Sequence, residues 1–230
     1  FFGAFVYGFN VMGAQYWGKK DEKSVAKIVN ITLRYTLIVG IIFSLITLII
    51  PEKVMNIFTS DTELITVGAK YLRTVSASYF LTGISQVYFG VLKVCDKAGL
   101  SSLIGSLAVV INIGLNALFI FGVGPIQGMG VAGAALATVC ARIFEAVLAL
   151  VVVNKYKCPR TNIANLLGGD DGVLVKDYWK YTIPLLVNQL GWGGGVTMYS
   201  VIMGHLGTDA VAANSIASIV RTMVASFCWG

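Results

Sequence analysis

Apolar residues run along this chain in long charge-free stretches, and the charges collect in the short segments between them. A helix needs about 20 largely apolar residues to cross the hydrocarbon core of a bilayer. Seven stretches approach that length: roughly 1–17, 28–50, 73–94, two within the uncharged run from Ala98 to Ala141, then 181–203, and one that begins near Asp209. Pro51 and the Glu52-Lys53 pair stop the second, because proline breaks the helical hydrogen-bond ladder and paired charges belong in water. The glycine-rich string 122–130 supplies the turn between the fourth and fifth spans. Residues 51–72 mix Glu52, Lys53, Asp61, Glu63 and Lys70 with Val54, Ile57, Phe58, Leu64 and Ile65, which predicts an amphipathic segment lying in the interface. The stretch 155–180 holds Lys155, Lys157, Pro159, Arg160, Gly168, Gly169, Asp170, Asp171 and Asp177, a composition suited to water, and reads as an inter-lobe linker. The pattern therefore predicts an all-α, polytopic transmembrane bundle: one lobe over 1–154, a linker over 155–180 and the opening of a second lobe over 181–230.

Composition agrees with the pattern. Of the 230 residues 57% are apolar and only 12% charged, and the mean hydropathy is +0.80. A soluble domain needs a charged surface to stay dispersed, whereas a lipid-facing surface is itself apolar. The net charge of +6 gathers between the spans, which makes it a topology signal and argues against a nucleic-acid partner. Alternate loops carry Lys19, Lys20, Lys23 and Lys27, then Lys93 and Lys97, then Lys155, Lys157 and Arg160, and the positive-inside rule places these in the cytoplasm. Cys95, Cys140, Cys158 and Cys228 show no CxxC spacing and read as small packing residues. A lone His205 with no acidic or thiolate cluster beside it gives no metal or nucleophilic site. Neither a signal peptide nor an initiator Met opens the chain, and it begins and ends inside apolar runs, so it is expected to be a fragment. The strings Phe5-Val-Tyr-Gly8 and Phe227-Cys-Trp-Gly230 form a weak internal repeat.

Within the spans, polar residues are few enough to be weighed singly. Asn112 and Asn116 stand an i, i+4 step apart and project from one helix face. Unpaired amides in hydrocarbon cost several kcal/mol, so the pair must face the lobe interior. There it can ligate Na⁺ or bond a protonated carboxyl, or simply knit two helices together at roughly 1 kcal/mol. Arg142 and Glu145 share a face at i, i+3 and are read as a structural ion pair near the cytoplasmic end of their helix. Arg221 inside the last span is expected to face a cavity or a partner. Pro184, followed by Asn188, Gln189 and a run of glycines, weakens its helix enough to bend. Aromatic side chains can stack on organic cations, and Trp192 and Tyr199 are singled out for that role beside Asn188, while most of the others are read as lipid-facing or as interfacial anchors.

Four strings carry a resemblance to a known family. They are Gly13-Ala-Gln15-Tyr-Trp-Gly18-Lys-Lys-Asp21, Ile111-Asn112-Ile-Gly-Leu-Asn116-Ala-Leu-Phe119-Ile, Gly130-Val-Ala-Gly133-Ala-Ala-Leu-Ala-Thr138 and His205-Leu-Gly207-Thr-Asp209-Ala-Val-Ala-Ala213. In that order they resemble the multidrug and toxic compound extrusion (MATE) family. The resemblance implies a twelve-helix, two-lobed transporter, of which this chain runs from the second helix into the eighth, with Gly8 and Gly230 at matching places. It implies a cation or proton site in the first lobe at Asn112 and Asn116, with Thr138 offering a further oxygen. Some members carry an aspartate at the position of Asn116, and some relatives a glutamate where Gln189 stands, so Gln189 is counted with the cation or proton site as an amide that can bind but not carry the proton. With neutral amides at both places, the titrating acid is expected on the absent first helix or in the second lobe.

The resulting expectation is a monomeric antiporter of the plasma membrane, driven by Na⁺ or H⁺, without a cofactor, that exports small organic cations or drugs. A flippase for a lipid-linked precursor is the nearest rival, but it should line its cavity with basic residues, and the spans here carry almost none. A membrane-embedded enzyme would need His, Asp or Glu clustered at membrane depth. A scaffold would leave Asn112 and Asn116 as packing alone.

Overall fold

The computed structural model describes residues 2–122, 128–159 and 172–229. Among these it contains eight helices: α1 (Phe2–Gly18), α2 (Glu22–Ile49), α3 (Pro51–Phe58), α4 (Thr62–Val94), α5 (Ala98–Phe121), α6 (Val131–Lys155), α7 (Gly172–His205) and α8 (Thr208–Trp229). Four of them, α2, α4, α5 and α6, are long and apolar enough to cross a membrane. The other three expected spans are not in that group: α1 has 17 residues, and glycines and amides dilute α7 as Arg221 and hydroxyl residues do α8.

The helix ends follow from local chemistry. Asp21 caps α2, its carboxylate accepting the Ser24 N–H at 3.1 Å and the Ser24 hydroxyl at 2.6 Å. Those two bonds hold the Asp21 carboxyl below its usual range. Asp61 caps α4 in the same manner, accepting from the N–H groups of Glu63 and Leu64. α1, α4 and α6 all end on a charged residue in the left-handed region, Lys20, Asp96 and Lys157, at φ of 59°, 59° and 52°. In each case the following N–H reaches back five residues, Asp21 to Tyr16, Lys97 to Leu92 and Cys158 to Val153, at 3.0, 2.8 and 3.1 Å. This closure satisfies carbonyls the helix end would leave open. The three repeats all lie on the lysine-rich side.

Small residues set the central packing. Thr36, Gly40 and Ser44 recur every fourth residue on α2 and meet Gly83, Phe80 and Ser76 of the antiparallel α4. A Cβ on Gly40 would stand 3.2 Å from the Phe80 Cα, and the Ser44 hydroxyl donates to the Ser76 carbonyl at 2.8 Å. Between transmembrane helices, where lipid is as apolar as leucine, such close approach and inter-helix bonding replace the hydrophobic effect as the source of association. Phe5, Phe9, Met12, Ile28, Val87, Val91 and Leu92 complete the core of α1, α2 and α4. Ile38, Ile41, Ile42 and Leu45 of α2 and Leu103, Val109, Val110 and Ile113 of α5 stay exposed, as a lipid-facing surface requires.

Two segments depart from the sequence reading. The expected interfacial stretch 51–72 splits, and its second half is already α4, which runs on into the span. α7 starts at Gly172, inside the stretch read as linker; residues 160–171 of that stretch lie outside the described residues. The reason is periodicity beneath the charges. Leu174, Tyr178 and Thr182 fall every fourth residue and are buried, while Lys176 and Lys180 are exposed. Tyr178 donates to the Phe5 carbonyl at 3.1 Å, and Trp179 sits edge-on to Tyr35 with centroids 4.8 Å apart. Residues 123–127 of the expected turn and Gly230 of the expected repeat also lie outside the described residues.

Candidate ion site between α4, α5 and α6

Among the described residues α6 packs against α4 and α5 alone, and the three helices line a cavity of about 500 Å³. Gly105, Ala108 and Ala141 leave the room. Its polar wall is made by Gln86 of α4, Asn112 of α5, and Thr138, Arg142 and Glu145 of α6.

Helical spacing on α5 pairs the two asparagines as predicted. Asn116 Nδ2 donates to Asn112 Oδ1 at 2.9 Å. That bond fixes both amides, yet it leaves Asn116 Oδ1 buried with no partner. A carbonyl oxygen so placed costs free energy until something donates to it or binds it. Across the cavity, the Thr138 hydroxyl donates to the Ala134 carbonyl at 3.0 Å, which leaves its lone pairs free to accept. Asn112 and Thr138 thus stand in the wall of one cavity, and Asn116, which does not line it, is tied to that wall through Asn112; amide and hydroxyl oxygens are hard, neutral donors of the kind an alkali cation takes.

The Arg142–Glu145 pair, expected to be merely structural, belongs to the same cavity. The Arg142 guanidinium donates to Glu145 Oε2, and the two side chains are 39% and 3% exposed. Glu145 Oε1 is buried and has no hydrogen-bond partner. Spacing revealed the pair but not the burial of the acid. The available signal was its isolation: Glu145 is the one acidic residue between Asp96 and Asp170, within an otherwise apolar span.

The remaining sequence candidates stand elsewhere. Among the described residues α7 packs on α1, α2, α3 and α8, and touches neither α5 nor α6. Gln189 thus lies apart from Asn112, Asn116 and Thr138, against α1, where a Cβ on Gly3 would meet its Nε2 at 3.3 Å. The resemblance, through relatives with a glutamate at that position, had grouped it with them; the route of the chain sets it apart. Asn188, Trp192 and Tyr199 share an exposed face of α7, Trp192 being 65% exposed. The Tyr199 hydroxyl donates to Asn214 Oδ1 of α8 at 3.1 Å, an inter-helix bond that the sequence reading did not anticipate. A second cavity, of about 730 Å³ and mostly apolar, opens between Met55, Phe58, Leu64, Gly204, His205 and Val211, with Asp61 also in its wall.

The MatE family profile matches residues 1–118, from α1 through the paired asparagines of α5. The chain belongs to the MatE family. Two bacterial relatives extend the match beyond that segment. The probable multidrug resistance protein YoeA of Bacillus subtilis (strain 168) is 25% identical over 94% of this chain and 47% of its own length. The probable multidrug resistance protein NorM of Rhizobium meliloti (strain 1021) is 24% identical over 94% of this chain and 48% of its own. The chain spans about half the length of these relatives. A solved MATE structure in the bent conformation superposes with a TM-score of 0.77 at 20% identity, covering 96% of this chain and 49% of the other, which establishes a shared fold. With four apolar helices able to span a bilayer, this MatE chain is a multi-pass membrane protein.

Proposed function

We propose that this MatE chain is part of an antiporter of the plasma membrane, which uses inward Na⁺ or H⁺ movement to export amphipathic organic cations by alternating access. The observation that carries the reading is Asn116 Oδ1, an unpartnered oxygen at membrane depth, on a side chain bonded to Asn112 in the wall of a polar-walled cavity that Thr138 also lines. Structural glue would spend that oxygen on a neighbouring helix; a cation site keeps it available. Moving one charge down the membrane potential yields about 2.3 kcal/mol per 100 mV, so one or two coupled ions sustain a large outward gradient. Alternating access also requires that the ion bind one state better than the other. The multidrug resistance names of the two bacterial relatives support the export of drugs. A lipid-linked-precursor flippase is less well supported, since the one basic side chain in the cavity wall, Arg142, is already engaged by Glu145.

The test is efflux of a fluorescent organic cation, such as ethidium, from liposomes holding the full-length protein under imposed Na⁺ or pH gradients. Gradient-dependent efflux is expected, and its absence across a broad compound panel overturns the reading. Asn116→Leu should weaken the ion dependence while membrane insertion is retained, and an unchanged ion dependence would reduce the amide pair to packing.

A further inference from the structure

The cavity between α3, α4, α7 and α8 shares no lining residue with the candidate ion site. Its volume, about 730 Å³, falls within the roughly 300–1,000 Å³ of sites that enclose a small organic molecule. Met55, Phe58, Leu64, Val67 and Val211 give it an apolar body, and neither lysine nor arginine lines it. Three polar groups in the wall are set up to accept hydrogen bonds. The Asp61 carboxylate caps α4 through Oδ1, which takes the N–H groups of Glu63 and Leu64 at 2.9 and 3.4 Å, and among the described residues Oδ2 takes no hydrogen bond. His205 Nδ1 stands 2.9 Å from the Val201 carbonyl. A carbonyl only accepts, so Nδ1 carries a proton, and the neutral ring keeps Nε2 as an acceptor. The Ser200 hydroxyl commits its proton to the Val196 carbonyl at 3.0 Å and keeps its lone pairs.

We propose that this cavity is a binding site for a protonated amine carried on an apolar body. The Asp61 carboxylate, with no base opposite it, attracts a cation and repels an anion. A neutral apolar occupant would strip water from that carboxylate and give it no partner. The acceptors call for N–H donors, which a protonated amine has and a quaternary ammonium lacks. The hydrocarbon or aromatic part then buries against the apolar wall, where the Phe58 ring offers its face to the charge. The cavity lies at the end of the bundle opposite the lysine-rich helix ends, the side that the positive-inside rule makes external. An amine bound there bridges α3 and α4 to α7 and α8, which already touch where Gly204 presses on the Phe58 carbonyl.

Dansylcadaverine, a primary amine on a dansyl ring system, is the probe, titrated into the full-length protein in nanodiscs with empty nanodiscs as the blank. Saturable, blue-shifted fluorescence is expected, with affinity falling at least about tenfold in Asp61→Asn. Asparagine caps a helix as well as aspartate does, so that variant removes the charge and keeps α4. A dansyl analogue whose chain ends in a methyl group instead of the amine should bind the parent at least about tenfold more weakly. Val211→Trp, which fills the cavity from α8, should weaken binding of the amine as well. Equal affinity of the amine for the parent and Asp61→Asn, or equal affinity of the parent for the amine and its methyl analogue, overturns the proposal. The ligand class agrees with the antiport reading, but the site rests on its own geometry. Binding that Asp61→Asn abolishes, without any gradient-driven efflux, would support the site and count against that reading.

Discussion

Cys95 and Cys158, both buried, are neighbours where α4 and α6 end. Burial, reinforced by the Cys158 contact, pushes the Cys95 thiol well above its ordinary value of 9.0. A raised folded-state value favours the neutral thiol, so the native state is stabilised below pH 9.0 and loses that contribution as the pH climbs beyond it. The thermal midpoint of the solubilised protein should fall more steeply above that pH than in Cys95→Ala, and maleimide labelling of Cys95 should be slow at neutral pH. A midpoint with the same pH profile in both proteins would refute this. Residues of this kind mark the boundary of what sequence conveys. The spacing of Asn112 and Asn116 was enough to predict a shared face, because helical periodicity decides it. The burial of Glu145 was not, since it depends on how α4 and α5 lean on α6.

Between elements, packing is governed by where a side chain is missing. On α2, Gly40 is held against the Phe80 backbone, and on α6 an added Cβ at Gly133 would overlap the Phe119 carbonyl. Around Gly114 of α5 an added Cβ meets nothing within 4 Å. Gly40→Val and Gly133→Val should each destabilise the helix pair by about 1–3 kcal/mol, the usual range for overpacking. Gly114→Ala should be neutral or slightly stabilising, because glycine is the poorer helix former. Heating each variant in detergent and following its monodisperse fraction will rank them, and equal losses at 40 and 114 would contradict this account of the seams. The exposed Arg73–Glu52 pair, at 2.7 Å, should contribute no more than about 1 kcal/mol, so Glu52→Gln should behave like the parent in the same assay. The spans of α2, α4, α5 and α6 were legible from charge-free length. The start of α7 was hidden because Lys176, Asp177 and Lys180 outweigh the buried Leu174, Tyr178 and Thr182 in any reading by composition.

At the scale of the molecule, α7 touches α1 and α2 near its start and α3 near its end. Gly204 lies so near Phe58 that a Cβ would overlap the Phe58 carbonyl. Gly204→Val should therefore wedge α3 from α7, and spin labels at the exposed Asn56 and Leu206 should report a longer separation than in the parent. An unchanged separation would mean that the contact is absorbed locally. The two-lobed organisation was legible as a resemblance, but the placement of Gln189 against α1 was not, because no periodicity within α7 says which neighbour it will have.

The bond from Tyr178 to Phe5 joins residues 173 positions apart. A ribosome working from the N-terminus therefore delivers α1 long before the helix that covers it. During that interval Phe5, Gly8 and Tyr35 face either lipid or the insertion machinery instead of Tyr178, Trp179 and Thr182. Closing so long a loop is entropically costly and slow compared with pairing neighbouring hairpins. Biogenesis should thus pass through a waiting state in which the α2–α4 seam is formed and the α1 surface is still open, the stage at which this membrane protein is most vulnerable to quality-control proteases.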